Sequence, residues 1–276
     1  MKVHSLMNDL EIIPSNLFQQ YLEQVNDLQP KFEALKDADI STDTFSFYTS
    51  VSAMASSKIE GEQMEIDSYV KHKMLKIEYL NDLVEKPNDL YNAYLFAQKE
   101  PLTKSNFLKA HALIGKNLLV VSKRGKYRKV NMLVMEHKTF KVQFEAALWK
   151  EVTPLMKKLW SDIDHLIKQK LTVEEVFYYA AYIHLVFVAI HPFEDGNGRA
   201  GRLLEKWFIA QKLGGKAWYI QSELNYYNNI NDYYKNLNKL GIFYEQLDYS
   251  KALPFLLMLP NSLNYNIGYI QKSHLL

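Results

Sequence analysis

The chain has 276 residues, 48% of them hydrophobic, and its 33 basic and 31 acidic residues leave a net charge of +2. That length can bury a substantial core, and that composition excludes an intrinsically disordered chain. The near balance of charge gives no general electrostatic case for nucleic acid or an anionic membrane, and the absence of cysteine excludes disulfides, thiolate catalysis and cysteine-type zinc sites.

The opening residues, "MKVHSLMNDLEIIPSN", carry acids early and show no apolar run of signal-peptide length. No stretch approaches the roughly 20 apolar residues of a membrane span. A soluble cytoplasmic protein with no membrane or nucleic-acid partner is therefore expected.

Apolar residues recur at three- and four-residue spacing in most segments, which predicts amphipathic helices. "LFQQYLEQVNDL" (Leu17–Leu28), "SYVKHKMLKIEYLNDL" (Ser68–Leu83) and "DLYNAYLFAQKE" (Asp89–Glu100) are three of them. "GKYRKVNMLVMEHK" (Gly125–Lys138) reads differently: Val130, Met132 and Val134 fall at period two, which suggests a short β-hairpin packed on helices. "FEAALWKEVTPLMKKLWSDIDHLIKQ" (Phe144–Gln169) returns to helix, broken or restarted near Pro154.

"TVEEVFYYAAYIHLVFVAI" (Thr172–Ile190) opens with Thr172 and carries Glu175 three residues later, a capping box. Its body is apolar nearly all round, so a central buried helix is expected, with His184 as a hydrogen-bonded core residue. "GRLLEKWFIAQKLGG" (Gly201–Gly215) is a second core helix, with Leu203, Leu204, Trp207, Phe208 and Leu213 as its stripe and Gly214 and Gly215 as its stop.

Between these two helices lies "IHPFEDGNGRAGR" (Ile190–Arg202), a polar loop between apolar elements. Pro192 disfavours helix at His191 and helps to end the first helix there. Phe193 is read as an inward anchor and Glu194 as solvent-facing, without a role. Gly196 and Gly198 permit positive φ and close approach of a ligand to the backbone, just before helix amides that lack partners. Arg199 and Arg202, three apart, share a helical face and suit a polyanion. Asp195 supplies a hard oxygen suited to magnesium, and His191 is a candidate general base. The plainer alternative is a charged capping loop with the arginines paired to Asp195 and Glu194.

His191 to Arg202 resembles the Fic family motif, HPFx[D/E]GNGRxxR, at every fixed position. The resemblance extends more weakly from about Ser50 to Leu256, through "GKYR" (Gly125–Arg128) and "YYKNL" (Tyr233–Leu237). It implies an all-α fold, a Fic-type helical bundle, with a small β-hairpin flap beside the active site, within Lys129–Lys138. It also implies adenylyltransferase chemistry, in which AMP passes from ATP to a Ser, Thr or Tyr hydroxyl of a target protein. On that reading His191 takes the hydroxyl proton and Asp195 holds magnesium. Gly196, Asn197 and Gly198 cradle the anion, and Arg199 and Arg202 hold the outer phosphates. Val130, Asn131, Met132, Leu133 and Val134 would dock the target, and Asn229, Tyr233 and Tyr234 would wall the adenine.

"SSKIEGE" (Ser56–Glu62) is similar to the family's inhibitory motif, [S/T]xxxE[G/N], through Ser56, Glu60 and Gly61. The resemblance implies that Glu60 pairs with Arg202 and takes the place of the γ-phosphate charge. The implied organisation is an N-terminal helical region over 1–85, a Fic core over 86–215 and a C-terminal helical extension over 216–276. Members of the family often form homodimers, but no interface is legible here. Three other readings share the residues: a Fic enzyme using another nucleotide or removing AMP, a metal-dependent hydrolase built on His184, His191 and Asp195, and a non-enzymatic ATP-sensing regulator.

Overall fold

The computed structural model describes residues 10–35, 44–135 and 142–264. Helices dominate them, with a single two-stranded sheet. In chain order the helices are α1 (Phe18–Gln24), α2 (Leu28–Glu33), α3 (Thr44–Ile59), α4 (Ile66–Leu75), α5 (Asn81–Lys99) and α6 (Lys104–Ile114). After the hairpin β1 (Leu133–Met135) and β2 (Val142–Glu145) come α7 (Trp149–Lys168), α8 (Val173–Ile190) and α9 (Asn197–Leu213). Shorter helices follow: α10 (Ser222–Asn228), α11 (Ile230–Asn238), α12 (Leu253–Leu256) and α13 (Met258–Asn261).

Helix α8 is the axis. Its capping box is formed in both directions, Thr172 Oγ1 accepting from the Glu175 amide and Glu175 Oε2 accepting from the Thr172 amide. From Val176 to Phe187 every side chain is buried, because α1, α2, α7, α9, α12 and α13 all pack on it. By length and apolarity α8 would suffice to cross a membrane, so the expectation that no segment does is corrected; in the structure most of it is enclosed by the other helices. One hydrophobic cluster runs from Ile13 through α8 and α9 to Leu259. A smaller one joins α3 to α10 through Phe47, Val51, Ala55 and Leu224. Helix α5 runs through the expected boundary at 85/86, and the main cluster draws on all three expected segments.

Several element boundaries differ from the sequence expectations. The first helix ends at Gln24 instead of continuing to Leu28. The helix expected over Ser68–Leu83 stops at Leu75, where Lys76 turns into the left-handed region at φ 59°, and α5 begins only at Asn81. Helix α7 starts at Trp149, not Phe144, because Val142–Glu145 form the return strand of the hairpin; it then passes unbroken through Pro154. The hairpin therefore reaches beyond Lys138, and Glu136, His137 and Lys138 lie outside the described residues. Period-two alternation survives: Met132 and Val134 are half-buried, while Asn131, Leu133 and Met135 are exposed. Val130 departs from it and is exposed.

Candidate active site

The polar loop is locked from inside. Helix α8 ends at Ile190, and His191 stands in the left-handed region (φ 53°, ψ 60°), an uncommon conformation for a residue with a side chain. Phe193 is fully buried and stacks on His111, with ring centroids 3.4 Å apart and planes 10° apart. His111 Nδ1 accepts from the Gly125 amide (3.0 Å), so its Nε2 carries the hydrogen that meets the Asp195 carbonyl (3.0 Å). Asn197 spends its side chain on the same loop, donating to the Phe193 carbonyl and accepting from the Phe193 amide. Its contribution to an anion cradle is thus limited to its backbone.

Arg128 ties the loop to the flap. Buried at 2% exposure, it donates through Nε to the His191 carbonyl (2.7 Å) and through Nη1 to Val130 (2.6 Å). Nη2 reaches the carbonyls of Ala147 (2.5 Å) and Ile190 (3.3 Å). One cation thus caps the C-terminal carbonyls of α8 and holds both ends of the hairpin.

Helix α3 delivers the opposing charge. It closes in a Schellman motif: the Gly61 amide donates to Lys58, the Glu62 amide to Ser57, and Gly61 adopts φ 92°. This turn throws Glu60 across to α9, where Arg202 Nη2 donates to Glu60 Oε1 (2.6 Å). Arg202 also donates to Ser56 Oγ (2.8 Å), to the Ser56 carbonyl (3.1 Å) and to Tyr233 Oη (3.3 Å). Arg199 Nη2 pairs with Glu62 Oε1 (3.0 Å), which Lys86 shares (3.1 Å). The arginines are therefore partnered by Glu60 and Glu62, not by Asp195 and Glu194 as simple capping would have it. Glu194 is held by Lys123 at 2.6 Å and is only partly exposed, which corrects its reading as a free surface residue.

The glycines divide their work. Of the two freedoms a glycine permits, Gly196 uses positive φ (78°) and Gly198 uses close approach. At Gly198 a Cβ would collide with Glu60 Oε1, so that glycine keeps the space in which the carboxylate lies.

Electrostatics follow from this placement. Burial acts to raise the pKa of Glu60, but the charges of Arg202 and Arg199 outweigh it and hold the carboxyl below its ordinary value. For Arg202 burial opposes the charge, and Tyr233 and Glu60 override it, so the guanidinium stays protonated. Burial lowers His191 to about 4, which leaves a neutral imidazole near pH 7. Its Nδ1 lies 3.3 Å from the Val188 carbonyl and serves as the donor, leaving Nε2 as the lone-pair nitrogen.

A cleft gathers Glu60, His191, Gly198, Arg202, Tyr233 and Tyr234, and is also lined by Val134 and Phe144 of the hairpin and by Leu237, Leu240 and Leu247. Asp195, Gly196, Asn197 and Arg199 are not among its lining residues. Asn229 is not either: its amide is spent on Asn225, so it does not reach the expected adenine wall. Tyr233 and Tyr234 do line the cleft, and Tyr234 Oη donates to the Ile59 carbonyl at the end of α3 (3.1 Å). Asp195 is exposed and makes no ion pair among the described residues. Those residues include no group of three His, Asp or Glu placed to hold a metal without other ligands. His184 is fully buried and bonded to Glu205 and Tyr233, the core role expected of it.

Sequence reasoning missed Glu62, His111 and the function of Arg128. Glu62 closes the quoted inhibitory stretch and Arg128 closes "GKYR", so both were in view without an assigned contact. His111 carried no signal, being one histidine on an amphipathic helix.

Residues 101–209 match the Fic/DOC family model. No curated protein matches the chain. Among solved structures, a Fic family protein from Desulfovibrio desulfuricans G20 aligns at TM-score 0.73 and 17% identity, covering 95% of this chain and 76% of that one. A Fic domain containing signaling protein from Bacteroides thetaiotaomicron VPI-5482 aligns at 0.61 and 22%, covering 88% and 94%. Fic-1 from C. elegans aligns at 0.64 and 17%, covering 94% and 74%. At these identities the likeness is one of fold: a Fic-type helical bundle with a small hairpin.

Proposed function

We propose, from the premise that residues 101–209 form a Fic/DOC domain, that the protein is an adenylyltransferase held back by Glu60. It would move AMP from ATP to a Ser, Thr or Tyr hydroxyl of a target protein. Members of the family are typically transferases that move nucleotide-derived groups onto proteins. The observation that carries the reading is Arg202. It is a buried guanidinium in an open cleft, neutralised by a carboxylate that arrives from the end of another helix, beside a neutral imidazole with a free nitrogen.

In the reaction the target hydroxyl oxygen attacks the α-phosphorus and its proton passes to His191 Nε2. The α–β bridging bond breaks, and pyrophosphate leaves with the electron pair. Arg202 and Arg199 take the outer phosphates once Glu60 and Glu62 give them up, and the unpaired first amides of α9 favour the anion. Magnesium fits as a companion of the phosphates: it needs only one or two protein carboxylates, and Asp195 is exposed and free of cations. Held by Asp195 and the phosphates, the metal would supply charge neutralisation to the leaving group. Bridging of Glu145 to Phe243 backs β2, which leaves the β1 edge, with Leu133 and Met135 exposed, to pair with an extended target segment.

Inhibition follows from charge and space. With Glu60 on Arg202 and over Gly198, a triphosphate tail meets a carboxylate where it needs a cation. The test is His191→Ala in a Glu60→Gly background. Transfer should fall by about 10²–10⁴ while ATP binding is retained, because the imidazole moves a proton and does not hold phosphate. Retained transfer would remove His191 as the base; lost binding would show that the imidazole helps to hold nucleotide and does not act on the proton alone.

A further inference from the structure

We infer that Tyr233, His184 and Glu205 form a buried relay that fixes the aim of Arg202 from the core side, independently of Glu60. The inference rests on the nucleotide-transfer reading only for what Arg202 grips.

Arg202 has four hydrogen bonds, and three of them go to the end of α3: Ser56 Oγ, the Ser56 carbonyl and Glu60. The fourth, from Nη1 to Tyr233 Oη on α11, is the one that survives if the end of α3 withdraws. Tyr233 is in turn 3.1 Å from His184 Nε2 on α8, and His184 Nδ1 is 2.8 Å from Glu205 Oε2 on α9. Tyr226 donates to the same Glu205 oxygen at 2.8 Å. His184, Glu205 and Tyr226 are fully buried and Tyr233 nearly so.

The network assigns its own protons. The Glu205 carboxylate accepts, so His184 Nδ1 donates to it and Nε2 is left as the acceptor. Tyr233 then donates to Nε2, which leaves its oxygen lone pairs to receive Arg202 Nη1–H. No member competes with another for a proton. Arg202 and Glu205 are three apart on α9 and share a face, so the relay leaves α9 and returns to it within one turn. The rings of His184, Tyr226, Tyr233 and Phe255 pack around the path, Tyr226 stacked on Phe255 and the other pairs edge-on or tilted, with centroids 5.1 Å apart for Tyr226–Tyr233 and 5.3 Å for His184–Phe255. In that apolar sheath hydrogen bonds are strengthened and rotamers are few.

With Glu60 gone, Arg202 keeps Ser56 on one side and Tyr233 on the other, and only Tyr233 still restrains its rotamer if the end of α3 withdraws. Tyr233 holds the Nη1 edge of the guanidinium, so that the Nη2 hydrogen given up by Glu60 is left for a phosphate. Tyr233, His184 and Glu205 are thus positioning residues: they act on the nucleotide through Arg202.

The test compares Glu60→Gly with Glu60→Gly/Tyr233→Phe, and adds His184→Gln as a second variant with the tyrosine intact. Calorimetric titrations with ATP and with AMP are paired with the Nε–Hε NMR signal of Arg202, identified by its loss in Arg202→Lys. Loss of the hydroxyl should weaken ATP by about tenfold or more and leave AMP within about twofold, since only the outer phosphates depend on Arg202. The Arg202 signal of the nucleotide-free protein should shift and exchange faster, and His184→Gln should do the same to a smaller extent. Equal weakening of ATP and AMP would reduce the relay to general packing and overturn it, as would unchanged ATP affinity. If Glu60→Gly binds no ATP, the nucleotide-transfer reading falls, and the Arg202 signal alone then decides the relay: moved supports it, unmoved overturns it.

Discussion

Acidification should loosen the active-site loop through His111, and the size of the effect can be worked from its contacts. The ring is fully buried against Phe193, donates to the Asp195 carbonyl and accepts from the Gly125 amide. A second proton on Nδ1 would displace the Gly125 bond and place a charge among apolar groups. Burial accordingly lowers its pKa from 6.5 to about 4, with the Asp195 bond only partly opposing. A histidine depressed in the folded state contributes stability that is complete above the unfolded value and lost as pH falls through the interval to the folded one. The window is therefore pH 6.5 down to about 4, and linkage puts the loss at pH 5 near 2 kcal/mol, to order of magnitude. His191 is shifted in the same direction and adds to the loss, so the measurement must be a difference. Urea unfolding of wild type and His111→Gln at pH 7 and pH 5 supplies it, because the variant keeps His191. Wild type should lose about 2 kcal/mol more than His111→Gln over that step. Equal losses would show that His111 is not the buried neutral anchor described here.

Gly61→Ala forces a side chain into φ 92° with no steric clash to confuse the result. It should cost about 1 kcal/mol of thermal stability and, by loosening the turn that aims Glu60, raise self-labelling with AMP above wild type. An unchanged melting temperature would refute the strain argument, and unchanged labelling the argument about the turn. Glu62→Gln removes a carboxylate from Arg199 and Lys86. ATP should then bind roughly three- to fivefold more tightly in calorimetry, the scale of one partly exposed ion pair; weaker binding would exclude Arg199 as a phosphate ligand.

The parts legible in the sequence are those set by local rules. The capping box of Thr172 and Glu175, the stop at Gly214 and the break at His191–Pro192 depend on neighbours in the chain, and each stands where the pattern put it. His184 is legible as buried because its segment is apolar, and Phe193 because it is the one large apolar side chain in a polar loop. The misread boundaries are places where tertiary contacts decide. Val142–Glu145 carries a helix-compatible pattern but pairs with Leu133–Met135, and Lys76 ends a helix whose periodicity continues to Leu83. The site followed the same division. The motif gave the residue types, and the pairing of Glu60 with Arg202 was implied by resemblance, whereas Arg199, Arg128 and His111 each reach a partner 137, 63 or 84 residues away that has no local signature. Asn229 illustrates the converse error: it is close in sequence to Tyr233 but turned to Asn225.

The central claim is that Glu60 withholds Arg202 from nucleotide and that His191 then performs the transfer. Incorporation of labelled AMP should be compared side by side for wild type, Glu60→Gly and Glu60→Gly/His191→Ala, with protein substrate and magnesium present. Strong labelling is expected only from Glu60→Gly, on the order of 10²-fold above wild type, since a small misplacement of the phosphates costs about that much in rate. Equal labelling by wild type and Glu60→Gly, or strong labelling by the double variant, would contradict the claim.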